Sequence, residues 1–401
     1  MNNYAYIYDT ARSAFGTLGG GLSSVRPDDL LAYIIRELVG RNGFDLKEYE
    51  DVIVGNTNQA GEDSRNLARF AGLLAGLPIS TGGITVNRLC GSSMAAAIDA
   101  ARAVRCNEGE LFIAGGVESM SRAPLVLSKA TSAFDRGQQL VDTTIGARFT
   151  NPKISHTFGD STMAQTADNI ASDLSINRDQ CDTFAAHSQA SYQAAKKVGA
   201  MATQIVPIEV VQGRKKPATI VCEDEHPRAG STVEVLGGLR TLADDGVVTA
   251  GNASGLNDGA AAMIIGSQAV GEKYSVAPKG RIVAGAIAGV APRTMGLGPV
   301  PASLKALARA GLSLEQMDVI EVNEAFAVQV LGCLQLLGIT FNDSRVNANG
   351  GAIAVGHPLG ASGARIIQNA LTLLEAKQGR YALVTMCIGI GQGIAVVIER
   401  V

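Results

Sequence analysis

The chain has 401 residues, of which 34 are Lys or Arg, 37 are Asp or Glu and 46% are apolar. This length exceeds the roughly 250–300 residues that one hydrophobic core supports, so a single small domain is excluded. The formal net charge of −3 lacks the basic excess needed to bind a phosphate backbone, so no nucleic acid partner is expected.

The first residues of the sequence and the spacing of its cysteines indicate the cellular location of the protein. Residues 1–9 carry neither the basic nor the apolar part of a secretory signal, and no stretch of about 18 apolar residues predicts membrane insertion. The six cysteines are never closer than the 16 positions between Cys90 and Cys106, which excludes Cys-x-x-Cys zinc and redox pairs. We therefore expect a cytoplasmic protein with free thiols.

Short β-branched segments alternate with helical segments from the start of the chain. A strand is predicted at residues 4–8, a helix at 27–39 and a second strand at 51–55. This alternation is typical of an α/β fold with parallel strands.

Three segments of the first half recur in the second half, in the same order. The recurrence predicts two similar α/β halves, although chance similarity between α/β units is the alternative. Residues 51–56 match 318–323 at an offset of 267, 85–87 match 345–347 at 260, and 109–116 match 379–386 at 270.

Residues from about 123 to 250 differ in composition and include a strongly charged segment at 212–228. Helices are predicted there at 162–174 and 178–197, and an apolar strand follows at 260–265. We interpret this region as an insertion into the first half, with a structural cap on the core as the alternative. The predicted domains are an N-terminal half at 1–122 and 246–275, an insertion at 123–245 and a C-terminal half at 276–401.

Cys90 lies between an apolar strand and a predicted helix at 95–104. A helix N-terminus lowers the pKa of a thiol and favours the thiolate that attacks a carbonyl carbon. Because free cysteines are among the most buried residues, a purely structural role is the alternative.

Three further residues could take part in the same chemistry. His357 lies in a glycine-rich loop before a predicted helix at 364–374, where a neutral imidazole could accept the thiol proton, unless it is an exposed turn residue. Cys387 follows an apolar strand at a glycine loop whose N–H groups could bind an oxyanion. Asn323 follows a strand ending at Val322 and could hold a carbonyl oxygen or a water, or form only an Asx-turn or cap.

Together these segments resemble the thiolase family. The resemblance spans nearly the whole chain and implies a five-layered αβαβα fold of two similar halves with an inserted loop domain that carries coenzyme A. It implies reversible cleavage of a 3-oxoacyl-CoA by coenzyme A, giving acetyl-CoA and a shortened acyl-CoA. The matching segments are NRLCGS at 87–92, GGVESM at 115–120, NEAF at 323–326, GHP at 356–358 and CIG at 387–389.

The resemblance also implies a role for each catalytic residue. Cys90 would be the acylated nucleophile, His357 its activating base, and Cys387 the acid and base for the C2 carbon and the incoming thiol. One oxyanion hole would combine His357 with a water held by Asn323, and the other would use the backbone N–H groups of Cys90 and Gly389. Coenzyme A is then a substrate, and neither a metal nor a permanently bound cofactor is expected.

For coenzyme A, Arg228 and Ser254 match the family's ligand positions. The charge run at 214–216 is either a solvated surface or an aid to the nucleotide phosphates. Thr162 occupies the position at which short-chain biosynthetic thiolases have His, which argues against acetoacetyl-CoA as the specific substrate. The residues that would line the pantetheine and acyl path are Met163, Ala250, Met295, Ala325 and Phe326.

Residues 59–66 and 142–149 are similar to 3-oxoadipyl-CoA thiolases, which must accept a carboxylate-tailed acyl chain. Arg148 could pair with that carboxylate. The alternatives are a straight-chain 3-ketoacyl-CoA or acetoacetyl-CoA thiolase, a condensing synthase, which normally lacks the second cysteine, and a non-catalytic acyl-CoA-binding protein. The resemblance further implies a homodimer or homotetramer.

Overall fold

The computed structural model describes residues 4–146, 148–211 and 217–401; the charge run at 214–216 lies outside them. Most strands of the large sheet are buried along nearly their whole length, as expected for strands covered on both faces. The strands are β1 (Ala5–Ser13), β2 (Gly16–Thr17), β3 (Tyr49–Gly55), β4 (Ile84–Val86), β5 (Leu111–Ser119), β6 (Leu125–Leu127), β7 (Leu140–Asp142), β8 (Ile205–Val206), β9 (Ile208–Val210), β10 (Thr219–Val221), β11 (Asn257–Gly266), β12 (Gly280–Gly289), β13 (Val319–Val322), β14 (Tyr381–Ile388) and β15 (Gln392–Arg400).

Local sequence signals begin several of the helices. One begins at Pro27 with Asp28 and Asp29 in its first turn, and capping boxes at Thr162 and Asn177 begin two others. The helices are α1 (Pro27–Gly40), α2 (Leu67–Ala75), α3 (Ser92–Arg105), α4 (Pro152–Phe158), α5 (Met163–Leu174), α6 (Arg178–Lys197), α7 (Val233–Gly237), α8 (Gln268–Tyr274), α9 (Pro299–Ala310), α10 (Ala327–Leu337), α11 (Ala352–Val355) and α12 (Leu359–Lys377).

The large sheet consists of two sets of strands that meet at β1 and β12. The first set has the order β4-β3-β5-β11-β1 and the second the order β12-β15-β14-β13. The pair β1–β12 involves only residues 5–7 of β1. The expected parallel pairing occurs in β4-β3-β5 and in β13-β14, and the short β8 is parallel to β1, whereas the other pairs along this order are antiparallel. A turn of only three residues joins β14 to β15, which requires antiparallel strands.

The two sets confirm the predicted duplication. β3 and β13 contain the first matched pair of segments and take equivalent places, each parallel to the next long strand, β5 or β14. The second matched pair also agrees, because β4 lies parallel to β3 and Val346 forms a parallel bridge with Ile320 in β13.

The helices complete the expected layers. α3 and α12 contact strands of both sets and form the middle layer. α1 and α2 cover the outer face of the first set, and α9 covers that of the second. The mixed α/β fold with five layers is therefore confirmed. Residues 123–245 contain α4–α7 and short strands, and the boundaries of the loop domain remain a prediction.

Some element boundaries differ from those expected. α12 begins at Leu359, five residues before the predicted start, because Pro358 fixes the backbone where the helix begins. Cys387 lies inside β14 rather than after a strand, opposite Gly393 of β15. Among the residues that the structure describes, no helix has the length and apolarity to cross a bilayer.

Candidate active site

Cys90 lies in a tight turn between β4 and α3. Ser92 Oγ accepts a hydrogen bond from the N–H of Arg88 at 2.9 Å and donates one to the carbonyl oxygen of Leu89 at 2.6 Å. Leu89 has a φ of 47°, a sparsely populated conformation for a non-glycine residue, and its N–H donates to Asn87 Oδ1 at 2.9 Å. Two polar side chains of this segment therefore hold the turn, with Cys90 half-buried in it.

The Cys90 thiol is protonated at neutral pH. Burial raises its pKa to about 11, although the backbone N–H groups of Gly389 and of Cys90 itself act to lower it. The lowered pKa expected from the helix N-terminus is wrong, because desolvation disfavours the thiolate more than these groups favour it. A reaction that uses this sulfur as a nucleophile needs a base.

Gly389 follows β14 and is the residue whose N–H reaches the Cys90 sulfur. The turn continues through Ile390, which is exposed and has a φ of 64°, to β15. A Cβ atom at Gly389 would lie 3.9 Å from Met163 Sδ at the start of α5. The glycine turn thus joins the Cys90 segment to the first residue of a helix in the insertion.

The second thiol, Cys387, is 1% exposed. Its pKa lies well above the ordinary value, first because of burial and then because of the nearby sulfurs of Cys90 and Cys333. The effect of Cys90 on this pKa means that the sulfur atoms of residues 90 and 387 lie within electrostatic range of each other. At neutral pH, Cys387 carries a proton.

His357 is buried between α11 and α12. Its backbone N–H donates to Asn257 Oδ1 at 2.9 Å, and its ring Nδ1 lies 2.6 Å from Ser362 Oγ. Burial, and secondarily the charge of Arg365, lowers the pKa of this imidazole to about 3, so the ring is neutral. Its Nε2 is buried with no hydrogen-bond partner among the described residues.

The helices that begin beside Cys90 and His357 pack against each other. The N–H of Ala364 in α12 donates to Ser93 Oγ in α3 at 2.9 Å. A Cβ atom at Gly363 would lie 2.6 Å from a backbone nitrogen of α3, so only glycine allows this approach. Because the contact joins the early turns of both helices, the segments preceding them lie on the same side of the middle layer.

Asn323 is fully buried just after β13, where its N–H donates to the carbonyl oxygen of Thr385 at 3.0 Å. Its side-chain Oδ1 and Nδ2 are both buried without a hydrogen-bond partner in the described part of the chain. Buried amides are normally satisfied, so these atoms are suited to a water or a substrate oxygen.

Two buried carboxylates that the sequence reasoning did not single out tie these segments together. Glu324 follows Asn323 and accepts hydrogen bonds from three segments; its donors are Ser188 Oγ at 2.6 Å, Asn347 Nδ2 at 2.8 Å and the N–H of Ile353 at 3.1 Å. Glu118 lies in the GGVESM segment and accepts from the loop after β3 and from the first turn of α12; its donors are the N–H groups of Thr57 at 3.1 Å, Asn58 at 3.3 Å and Gly360 at 2.9 Å. The signal in the sequence that could have found them is their place in two of the matching segments, GGVESM at 115–120 and NEAF at 323–326.

Most residues expected along the acyl path lie together. Met295, Ala325 and Cys387 form a buried cluster that the partly buried Phe326 packs against. The N–H of Ser254 donates to the carbonyl oxygen of Ala325 at 2.9 Å. An apolar surface thus adjoins the second thiol, with Ser254 at its margin.

Arg228 and Ala250 lie farther out. Arg228 is exposed, and its charge adds to the effect of burial in lowering the pKa of the partly buried His226. The His226 ring packs against Gly255, the neighbour of Ser254, so Arg228 and Ser254 belong to one surface. Ala250 is exposed in the turn that precedes Ser254.

Arg148 is half-buried in the loop between β7 and α4. Its Nε atom is buried without a hydrogen-bond partner among the described residues. The loop is anchored upstream, where Thr143 Oγ1 accepts from Asn58 Nδ2 at 2.9 Å and donates to the carbonyl oxygen of Pro124 at 2.6 Å. No described contact joins Arg148 to the thiols.

These groups together suit acyl transfer through sulfur. Two protonated thiols lie within electrostatic range, a backbone N–H reaches one of them, and an apolar cluster surrounds the other. A neutral imidazole and an unpartnered amide lie on segments packed against the same core. A nucleophile, a base and a second acid are the elements that covalent catalysis at a carbonyl carbon requires.

Two protein-family models match nearly the whole chain. The model described as thiolase, N-terminal domain, matches residues 5–269. The model described as thiolase, C-terminal domain, matches residues 276–400.

Individual proteins are similar over the full length. A beta-ketoadipyl-CoA thiolase from Escherichia coli is 54% identical over 399 residues, which cover 99% of each chain. The crystal structure of human mitochondrial 3-ketoacyl-CoA thiolase in complex with CoA has a TM-score of 0.92 and 38% identity, covering 100% of this chain and 98% of that one. The Bacillus anthracis acetyl-CoA acetyltransferase has a TM-score of 0.92 and 35% identity, with both chains covered completely.

Proposed function

The chain belongs to the thiolase family, and from this membership we propose that it cleaves 3-oxoadipyl-CoA with coenzyme A. The products are acetyl-CoA and an acyl-CoA shortened by two carbons that keeps the terminal carboxylate. The observation that carries the proposal is the pair of thiols, Cys90 and Cys387, held within electrostatic range beside the N–H of Gly389.

In the first half of the reaction, Cys90 is the nucleophile and His357 its base. The neutral imidazole accepts the thiol proton at Nε2, and the sulfur attacks C3 of the substrate. Burial raises the pKa of Cys90, so the thiol needs a base, and burial lowers the pKa of His357, so its ring is neutral before the reaction and Nε2 has a lone pair that can accept a proton.

Cys387 supplies the second proton transfer. When the C2–C3 bond breaks, its electron pair stays on C2 as the enolate of acetyl-CoA, and the Cys387 thiol protonates that carbon. The raised pKa of Cys387 supports this role, because the group is in its acid form at neutral pH. In the second half, coenzyme A gives its thiol proton to the Cys387 thiolate and attacks the acyl group on Cys90, whose sulfur then regains its proton from His357.

The negative charge on oxygen is stabilised at two places. One site uses the backbone N–H groups of Cys90 and Gly389, and the other uses His357 with a water held by Asn323. The unpartnered side-chain atoms of Asn323 support the second site. Losing one such donor typically slows a reaction ~10²–10³-fold.

Coenzyme A binds along the surface from Arg228 to the thiols. Arg228 and Ser254 contact the nucleotide and pantetheine. The apolar path consists of Met163, Ala250, Met295, Ala325 and Phe326, most of which adjoin Cys387 or Gly389.

The choice of 3-oxoadipyl-CoA rests on the relatives named for it and on the loop at 142–149. Arg148 pairs with the terminal carboxylate of the acyl chain. Its buried Nε, which has no hydrogen-bond partner in the described part of the chain, supports this role, because a planar guanidinium suits a carboxylate.

The substrate proposal is tested by kcat/KM for 3-oxoadipyl-CoA and for 3-oxohexanoyl-CoA, which has the same chain length without the carboxylate. We expect a preference for the former. Arg148→Ala should lower only the kcat/KM for 3-oxoadipyl-CoA, by roughly 10- to 100-fold, which corresponds to the loss of a hydrogen bond to a charged group. Arg136→Ala, an exposed arginine of the same loop region, is the control. A preference for 3-oxohexanoyl-CoA would favour a straight-chain thiolase and overturn the substrate assignment.

The chemistry itself is tested by mass spectrometry of the intact protein after a pulse of acyl-CoA. We expect one acyl group per chain, located on Cys90 and missing in Cys90→Ala. Absence of the adduct in intact wild-type protein would instead support a non-catalytic acyl-CoA-binding protein.

We also propose that the protein acts in the cytoplasm as a homodimer or homotetramer. The reducing cytoplasm suits a reaction that requires two free thiols. Self-association is supported by β4, the last strand at its end of the described sheet, near which Ile84 and Ile79 are exposed. Light scattering coupled to size-exclusion chromatography tests this, and a stable monomer at micromolar concentration would contradict it.

A further inference from the structure

The hydroxyl group of Ser362 lies between the ring of His357 and the carbonyl oxygen of Pro358. Ser362 is fully buried in the first turns of α12. Its Oγ is 2.6 Å from His357 Nδ1 and 3.0 Å from the carbonyl oxygen of Pro358. The second contact is a hydrogen bond back to the residue four positions earlier, as serines in helices often make.

Counting hydrogens distinguishes the two neutral forms of the imidazole. The Ser362 hydroxyl has one hydrogen, and a carbonyl oxygen can only accept, so the contact with Pro358 takes that hydrogen. The hydroxyl then offers a lone pair to Nδ1, which must itself carry the hydrogen of the neutral ring. If Ser362 donated to Nδ1 instead, two oxygen lone pairs would face each other at 3.0 Å with no hydrogen between them.

We propose that Ser362 is a positioning residue that fixes His357 in the tautomer with hydrogen on Nδ1, which leaves the Nε2 lone pair free to accept the Cys90 proton. This inference rests on the proposed function, in which His357 is the base. In the step, the S–H bond of Cys90 breaks and its proton forms the N–H bond at Nε2. The electron pair stays on sulfur, and the Nδ1–H bond to Ser362 is retained.

The backbone beside the ring is also fixed, so that the tautomer and the orientation of the ring are set together. The N–H of His357 donates to Asn257 Oδ1, whose amide nitrogen in turn donates to the carbonyl oxygen of Gly16 at 2.9 Å. Gly356 has a φ of 103°, and a Cβ there would lie 2.5 Å from the Asn257 amide. Nε2 is thereby left as the unpartnered nitrogen of a ring anchored on its other side.

Nitrogen-15 NMR of protein labelled at its four histidines reads the tautomer without reference to activity. The His357 signals are identified by their loss in His357→Asn. In wild-type protein we expect a protonated-type shift at Nδ1 and an unprotonated-type shift at Nε2. In Ser362→Ala we expect averaging or reversal of these shifts. A proton on Nε2 in the wild type, or unchanged shifts in Ser362→Ala, would overturn the proposal.

The rate of Cys90 acylation in a single turnover provides the second readout. We expect Ser362→Ala to slow it by about 10-fold or more, short of the ~10²–10⁴ that a general base supplies. Ser362→Thr keeps the hydroxyl and should retain both the tautomer and most of the rate. Ser303→Ala is the matched control, because this serine is also fully buried in a helix but its hydroxyl has no partner among the described residues.

The two proposals fail in different ways. If wild-type protein forms no acyl adduct on Cys90, the proposed function fails, while the NMR shifts still decide the tautomer. If the adduct forms but Ser362→Ala acylates at the wild-type rate with a changed tautomer, the proposed function stands and the role of Ser362 is overturned. Ser362→Thr decides the question if Ser362→Ala does not fold.

Discussion

The backbone N–H of Gly360 donates a 2.9 Å hydrogen bond to Glu118 Oε2, across 242 positions of sequence. Gly360 lies in the first turn of α12, so the carboxylate acts on the positive end of that helix. The same carboxylate accepts the N–H groups of Thr57 and Asn58. Glu118 therefore joins the end of β5 and the loop after β3 to the helix that follows His357.

The burial of the Glu118 carboxyl group makes stability depend on pH, although the hydrogen bonds from Thr57 and Gly360 act in the opposite direction. Burial raises the pKa of Glu118 from 4.5 to about 7, so the folded protein binds this proton more tightly than the unfolded chain does. The contribution of Glu118 is therefore most favourable below about pH 4.5 and is lost as the pH rises to about 7, with an upper limit of roughly 3 kcal/mol. In Glu118→Gln we expect this decline to disappear.

The measurement is the Tm of both proteins from pH 4.5 to 7.5. Relative to wild type, the variant should gain stability as the pH rises through this window, whatever its absolute Tm. Glu108→Gln, at an exposed position, should leave the pH dependence unchanged. Parallel curves for wild type and Glu118→Gln would show that the folded-state pKa is not raised.

Replacement of His357 should affect catalysis far more than folding. His357→Asn removes the base for a thiol whose pKa is about 11, so acylation of Cys90 should slow ~10²–10⁴-fold. Stopped-flow or quenched mass spectrometry with a single acyl-CoA pulse measures this rate. His187→Asn, at an exposed position, should acylate normally. Acylation of His357→Asn within tenfold of wild type would contradict the assignment.

The two neighbouring buried thiols should differ in function. Cys387→Ala should lower kcat for cleavage at least ~10²-fold, because the C2 carbon loses its proton donor. Cys333→Ala is the matched control: this cysteine is also buried and affects the Cys387 pKa, but its thiol donates to the carbonyl oxygen of Gly296 at 3.2 Å and accepts from Gln329 Nε2 at 3.7 Å. We expect Cys333→Ala to retain kcat within tenfold and to lose about 1 kcal/mol of stability. Equal losses of kcat in both variants would reject a specific role for Cys387.

Gly356→Ala tests the backbone beside His357. The alanine must adopt a φ of 103° and would place its Cβ 2.5 Å from the Asn257 amide. Strain of this kind costs about 1–3 kcal/mol, and relief of the clash would displace His357. The free energy of unfolding measured in urea and kcat should both decrease. Gly40→Ala, with no atom within 4 Å of its Cβ position, should leave the free energy of unfolding unchanged or slightly higher. Unchanged kcat in Gly356→Ala would show that the ring tolerates movement here.

Local features of the fold could be predicted from the sequence. The helix predicted at 178–197 from its helical period agrees with α6 at both ends, and the capping box that begins it is likewise formed by residues within a few positions. The duplication followed from matched segments such as 51–56 and 318–323, which the sheet places at equivalent positions. The residues expected to react could also be named, because their segments carry the family's pattern.

The protonation and the orientation of those residues depend on distant parts of the chain. The amino-acid sequence by itself determined the two halves and the bounds of α6, and it singled out Cys90, His357 and Cys387 as the residues expected to react, since each signal lies in neighbouring residues. Only the tertiary structure decided that the pKa of Cys90 is raised and that Asn257 fixes the backbone of His357, 100 positions away. Desolvation and hydrogen bonding depend on which atoms surround a group after packing, and that environment is assembled from segments far apart in the chain.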